Sequence, residues 1–252
     1  MREDYTLEKK RFLELGRKSY NSGIYTFTDF LGLSEQSAFH EIERELTGIP
    51  YTAFGGVDGA ERVIIRFGSE DICGYEMPHP ISIILCRPVS EKFAEKLGHR
   101  DFLGAILNLG IDRSVLGDIV ITENGAYIFI KENMAEFVAD GLTKVRRTAV
   151  KCQITDKLPE GELYKTKEIR VQAVGERIDA LVAKVFSISR DDSATLFSRG
   201  LVFISGKCCE SVSHKLKEGD IVSVRGYGRF IYHGIDGHTK KGKLNILIEQ
   251  YI

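Results

Sequence analysis

Residues 176–207 read ERIDALVAKVFSISRDDSATLFSRGLVFISGK, and the fold of the last third of the chain turns on how they are parsed. In Glu176–Phe186 the apolar residues Ile178, Leu181, Val182, Val185 and Phe186 fall at i, i+3, i+4, i+7 and i+8, one stripe of an amphipathic helix. Arg177 and Lys184 are seven apart, which would nearly eclipse them on the edge of that stripe. Ser189-Arg190-Asp191-Asp192 then opens a second helix, with Ser189 placed to cap it and Asp192 answering three residues on. Gly200, following Arg199, closes that helix as a C-cap. Two short helices therefore pack together, with Arg177, Lys184, Arg190 and Arg199 on or near their exposed faces.

Downstream the period changes. Leu201–Ser205 reads as a strand, Gly206-Lys207 as a turn, and Cys208–Cys209 as a second short strand. After Lys215-Leu216-Lys217 the turn Glu218-Gly219-Asp220 leads into Ile221–Arg225. There, alternation puts Val222 and Val224 on one side and Ser223 and Arg225 on the other. The run Arg225-Gly226-Tyr227-Gly228-Arg229-Phe230 interleaves cations, aromatics and glycine, a mixture suited to phosphate contact and base stacking.

Upstream, Lys157-Leu158-Pro159-Glu160-Gly161-Glu162 combines proline, glycine and charge as linkers do, and no proline follows it. The charge balance also shifts. Residues 1–143 carry 15 basic and 23 acidic side chains, a balance of −8, whereas residues 144–252 carry 20 and 13, a balance of +7. Only the C-terminal part is thereby suited to meet a polyanion.

Before the linker, Ile81–Cys86 reads as a strand and Asp101–Leu109 as a helix with Phe102, Ala105, Ile106 and Leu109 on one face. Two strands, Asp118–Thr122 and Ala126–Ile130, flank the hairpin signal Glu123-Asn124-Gly125. A helix near Met134–Leu142 and a strand near Thr148–Ile154 complete the order β-α-β-β-α-β of a ferredoxin-like unit, which many RNA-recognition folds share. Tyr127 and Phe129 in the third strand lack the surrounding glycine-aromatic signature, so the segment reads as a scaffold. Further upstream, Leu7, Phe12 and Leu15 predict one helix, and Ser34-Glu35 starts another carrying Phe39, Ile42 and Leu46 until Gly48-Ile49-Pro50 ends it. Strands Tyr51–Phe54 and Arg62–Phe67 follow. The expected fold class is α+β, with an N-terminal α/β region (1–75), a ferredoxin-like, RRM-like middle domain (76–156) and a small RNA-binding domain (165–252).

The 43% apolar and 28% charged content is that of a folded protein. No apolar run is long enough to span a bilayer, and the acidic start Met1-Arg2-Glu3-Asp4 is unlike a signal peptide. Five scattered cysteines (Cys73, Cys86, Cys152, Cys208, Cys209) with no C-x-x-C spacing point to reduced thiols in a cytoplasm rather than to disulfides or zinc.

The C-terminal pattern resembles the S-four RNA-binding domain, the αL motif. Its residues are Arg177-Ile178-Asp179, Ser189-Arg190, Gly200-Leu201-Val202 through Gly206-Lys207, and Lys217-Glu218-Gly219-Asp220 through Arg225-Gly226. Ser205 stands where many members have Asn, and Ile178 replaces a usual Leu. The resemblance implies that the two helices and the adjoining loop grip structured RNA. It makes Arg177, Asp179, Lys184, Ser189, Arg190, Arg199, Lys207, Lys215, Lys217, Arg225 and Arg229 the candidate RNA-binding residues. Gly98-His99-Arg100-Asp101-Phe102-Leu103-Gly104-Ala105, Leu109-Gly110-Ile111-Asp112-Arg113 and Gly117-Asp118-Ile119 extend the likeness to the middle domain of the YlmH family, over nearly the whole chain. This resemblance implies a non-catalytic protein docking on ribosomal RNA or tRNA at the large ribosomal subunit, in the rescue of stalled nascent chains. Neither a DNA nor a membrane partner is expected.

The alternative is an RNA-modifying enzyme that uses its S-four domain to hold substrate. A pseudouridine synthase would need a catalytic Asp in an Arg-Leu-Asp context, and the nearest strings are His99-Arg100-Asp101 and Arg177-Ile178-Asp179. A methyltransferase would need a glycine-rich loop after a strand, which Gly55-Gly56 and Gly104–Gly110 do not make. The six histidines form no pair at metal spacing, so no catalytic residue, metal or cofactor is assigned. His99, Arg100 and Asp101 read as a helix start with a capping acid, and stay as a possible secondary site.

Overall fold

The computed structural model describes residues 5–123, 125–159, 163–240 and 242–252. Met1–Asp4, Asn124 of the hairpin signal and Glu160-Gly161-Glu162 of the expected linker lie outside the described residues. Among the described residues the fold is mixed α and β, with seven α-helices and three antiparallel sheets in two compact units, Met1–Leu163 and Tyr164–Ile252. No helix among the described residues is long and apolar enough to cross a membrane.

The first unit begins with α1 (Thr6–Ser22), β1 (Thr26–Phe27), α2 (Leu33–Ile42), β2 (Tyr51–Phe54), β3 (Ile64–Phe67) and the short α3 (Glu70–Cys73). The sheet order is β1-β3-β2, and Phe12, Phe39, Leu46 and Phe67 form its core. Next come β4 (Ile81–Pro88), α4 (His99–Leu107), β5 (Leu116–Thr122), β6 (Gly125–Lys131), α5 (Glu132–Gly141), β7 (Lys144–Val145) and β8 (Thr148–Thr155), in the sheet order β5-β6-β4-β8-β7. Phe102 and Ile106 of α4 and Ala135 and Val138 of α5 pack with Ile84, Ile128 and Ile130, so both helices cover one face of this sheet. The N-terminal region reaches the other face, where a Cβ at Gly56 would strike Phe129 and one at Gly117 would strike Phe30. Phe129 is therefore buried, and Tyr127 on the same strand is buried too. Residues on either side of position 75 are joined by polar ties. Asp118 accepts from the backbone N–H groups of Glu61 and Arg62 (2.8 and 3.0 Å), and the Arg62 guanidinium donates to the carbonyls of Leu116 and Phe30.

The second unit consists of β9 (Thr166–Ala173), α6 (Ile178–Val185), α7 (Arg190–Ser198), β10 (Val202–Ile204), β11 (Lys207–Cys208), β12 (Ile221–Val224), β13 (Gly228–His238) and β14 (Leu244–Tyr251). Its six strands run in the order β11-β10-β12-β13-β14-β9. Ile178, Leu181, Val182 and Val185, the predicted stripe, meet Val202, Ile204, Val222, Val224, Phe230, Ile246 and Ile248 in one core. Gly200 has φ +65 and closes α7 as expected. One local reading shifts. The turn is Ser205-Gly206, because Ile204 pairs with Lys207 and both turn residues have positive φ (+47 and +82), the type I′ geometry of two-residue hairpins. Ser223, expected on the side opposite Val222 and Val224, is itself buried, in register between Phe203 and Arg229.

Candidate nucleic-acid interface

Three sequence-predicted residues converge where α6 and α7 begin. Arg177 is the residue before α6 and has an extended backbone (φ −65, ψ 126), so its side chain reaches Asp179 two residues on rather than lining up with Lys184. Its Nε donates to Asp179 Oδ1 at 3.0 Å and its Nη2 to Oδ2 at 3.2 Å. Arg190, the first residue of α7, donates from Nη2 to Asp179 Oδ2 at 2.9 Å. Ser193 Oγ bonds the Asp179 carbonyl at 2.8 Å, stitching the helices together. The Asp179 side chain is only 5% exposed, against 54% for Arg177 and 60% for Arg190. A buried carboxylate thus sets the angle of two solvent-facing guanidinium forks, at the positive ends of two helices. Two cations against one anion leave a net positive charge where planar donors can meet a phosphate.

Burial alone would raise the Asp179 carboxyl, but the hydrogen bonds and charges of Arg177 and Arg190 outweigh it and hold the group below the usual carboxylate range. Asp179 in turn raises the Arg177 guanidinium. A carboxyl depressed in the folded state stabilises fully above its unfolded value of about 3.9, and that contribution is lost as pH falls through the folded value. We therefore expect Asp179→Asn to cost about 2 kcal/mol at neutral pH, with the deficit closing below about pH 4. Urea midpoints of both proteins across that range read the effect; a constant deficit down to about pH 3 would place its origin elsewhere.

Asp179 therefore positions the two arginines. The remaining candidates are dispersed. Ser189 Oγ accepts from the Asp192 N–H at 3.0 Å and donates to Asp192 Oδ2 at 2.7 Å, so it acts as the α7 cap. Lys184 Nζ is bound to the Gln172 carbonyl of β9. Arg199, Lys207, Lys215 and Lys217 are exposed, the last two in the loop between β11 and β12. Arg225 is exposed with its guanidinium 5.5 Å above the Phe203 ring. Beside it, Tyr227 is 46% exposed and leans on Phe186 at 5.9 Å, an aromatic surface open to a base. Arg229 differs most from its expected place. It is buried, with its guanidinium 3.9 Å from the Tyr251 ring and 4.6 Å from Tyr164. Alternation along β13 turns it toward those rings, and sequence reading missed Tyr164 and Tyr251 because they lie at the far ends of the unit.

In the first unit, His99-Arg100-Asp101 starts α4 as predicted. Asp101 Oδ2 accepts from the Gly98 N–H at 2.9 Å, the cap expected of it, while Oδ1 lies 3.6 Å from Arg146 Nη1. Burial and the Arg113 charge lower His99 against the pull of Asp118. Among the described residues no three His, Cys, Asp or Glu side chains are grouped to hold a metal.

Residues 83–158 match the family model described as "Putative RNA-binding domain in YlmH". Over 249 residues the chain is 32% identical to the ribosome-associated protein quality control protein P2 of Bacillus subtilis (strain 168), covering 98% of this chain and 93% of that protein. The chain belongs to the YlmH family. A solved structure, the cell division protein ylmH from Streptococcus pneumoniae, is similar with a TM-score of 0.45 at 24% identity, over 62% of this chain and 95% of that one. The YlmH model spans the second sheet with α4 and α5, and ends before the Arg177–Asp179–Arg190 cluster.

Proposed function

We propose that this chain is a non-catalytic RNA-binding protein that docks on ribosomal RNA or tRNA at the large ribosomal subunit and acts in the rescue of stalled nascent chains, in the cytoplasm. The observation that carries the reading is the pair of exposed arginines held by buried Asp179 at two helix starts. The name of the Bacillus relative, a ribosome-associated quality control protein, supports the ribosomal setting, and the family model supports RNA as the ligand. In this reading residues 165–252 are an S-four domain, 76–156 a ferredoxin-like domain and 1–75 an N-terminal α/β region. The strand order β5-β6-β4-β8, with two helices on one face, supports the middle assignment.

The test is co-sedimentation with purified large subunits over a salt series, comparing wild type with Arg177→Gln/Arg190→Gln. Wild type should travel with the subunit and dissociate steeply as salt rises, and the variant should remain in the supernatant. Equal binding of the two proteins would remove the helix pair as the RNA-binding element.

A further inference from the structure

We infer that a cationic concavity beside α4, framed by Arg100, Lys144 and Arg146, is a second site for the RNA sugar–phosphate backbone. This rests on the RNA-binding reading above and gives the first unit its own share of the contact. The concavity is shallow and open, about 500 Å³, with α4 on one side and the segment 141–146 on the other. Three cations line it against one carboxylate, Asp101, which already accepts the Gly98 N–H and sits beside Arg146. Asn108 adds an amide able to bond a ribose hydroxyl or a phosphate oxygen.

Two departures from what the fold itself prefers point outward. Arg146 has φ +52 in the two-residue turn between β7 and β8, a left-handed conformation that costs a non-glycine residue about 1 kcal/mol. Glycine would suit the turn better, yet a cation occupies it with its side chain 59% exposed. Gly104 lies inside α4, where glycine costs about 1 kcal/mol relative to alanine. A Cβ built there meets nothing within 4 Å among the described residues, so no packing within the protein requires its absence. A ligand backbone lying close on this face of α4 accounts for the glycine, and its charge accounts for the arginine.

The opposite face of the sheet explains why the site would lie here. The family model describes residues 83–158 as a "putative RNA-binding domain", but Tyr127 and Phe129, the rings on which an RNA-recognition sheet would stack bases, are both buried, Phe129 against Gly56 of the N-terminal region. The helix side remains for that role, through phosphates rather than bases.

The test uses the full chain, bulk tRNA and purified large subunits, with melting temperature measured alongside affinity. Arg146→Gly should leave the melting temperature unchanged or raised, weaken binding about fivefold, and reduce the salt slope by about one. Gly104→Ala should raise the melting temperature and weaken binding several-fold with no change in slope, since it removes no charge. A purely structural role for either residue predicts no such split between stability and affinity. If both variants bind both RNAs as wild type does, the concavity is not an RNA site, whatever Arg177→Gln/Arg190→Gln does. If they weaken binding while the glutamine pair binds like wild type, this site stands and the proposal for the helix pair falls. Failure of wild type to bind either RNA overturns both.

Discussion

Replacing Arg177 and Arg190 together with glutamine is expected to lower affinity for the large subunit on the order of 100-fold near physiological salt, and to flatten the salt dependence by about two. Each phosphate neutralised by a protein cation releases condensed counterions, contributing close to one unit of slope in log affinity against log salt. Both guanidinium groups face solvent and share one buried anchor, so they act as a rigid pair rather than as two wandering side chains. Pre-set geometry limits the ordering cost of binding, which makes such a pair worth more than two independent surface lysines. Glutamine is a better test than alanine, because alanine at both positions would strand the buried Asp179 carboxylate without donors and confuse unfolding with lost contact. Glutamine keeps an N–H for Asp179 and removes the charge. A slope that falls by two with the fold intact identifies both arginines as phosphate contacts, whereas an unchanged slope with weaker binding would assign them to helix positioning alone.

How far such a site can be read from sequence depends on the range of the interactions that build it. The helix pair was legible because its determinants are local: the stripe Ile178, Leu181, Val182, Val185, the Ser189 cap and the Gly200 terminus all lie within one short segment. The order of strands and helices between Ile81 and Thr155 was legible for the same reason, with period-2 and period-3.6 patterns separated by turn residues. The long strands β9, β13 and β14 were not. In β13, Gly228, Gly234 and Gly237 interrupt the alternation, and its pairing with β14 is irregular between Tyr232 and Gly234 and again between Ile235 and His238, so neither face keeps a clean period.

Within the site, residue type indicated charge but not direction. Arg177 and Lys184 looked like neighbours on one helix edge, but the helix starts one residue after Arg177, and one turns to Asp179 while the other turns to Gln172. Arg229 stands, by sequence, in a run of cations, aromatics and glycine suited to phosphate contact, and only the distant Tyr164 and Tyr251 reveal it as a buried cation against two rings. Lys144 and Arg146 were passed over altogether. Their signal was the basic run after α5, which has no meaning until α4 is folded opposite it.

Gly125→Ala is expected to destabilise the first unit by about 3 kcal/mol or more, the largest stability effect of any substitution proposed here. The Asn-Gly pair announces a turn, which by itself asks only for positive φ, and asparagine tolerates the left-handed region nearly as well as glycine does. The structure imposes a harsher condition. Gly125 has φ +141, outside the left-handed well, and a Cβ there would lie 2.0 Å from the Cys86 carbonyl oxygen, with the Cys86 carbon and Arg87 Cα just behind. These are backbone atoms of the neighbouring strand β4, which cannot rotate aside as a side chain would. Relief requires β6 to part from β4 at Ala126–Cys86, the pairing that sets Ile128 and Ile130 beneath Phe102 and Ile106 of α4. Gly125→Asn should therefore be as damaging as alanine, and urea midpoints of the two variants decide between the explanations. Loss in both assigns the glycine to close approach of two strands; loss in alanine with retention in asparagine would return it to turn preference alone. Because α4 rests on that sheet, either variant should also weaken the RNA binding proposed for the concavity, while the RNA contact proposed for the Arg177–Asp179–Arg190 cluster, built on a separate core, should keep its salt dependence.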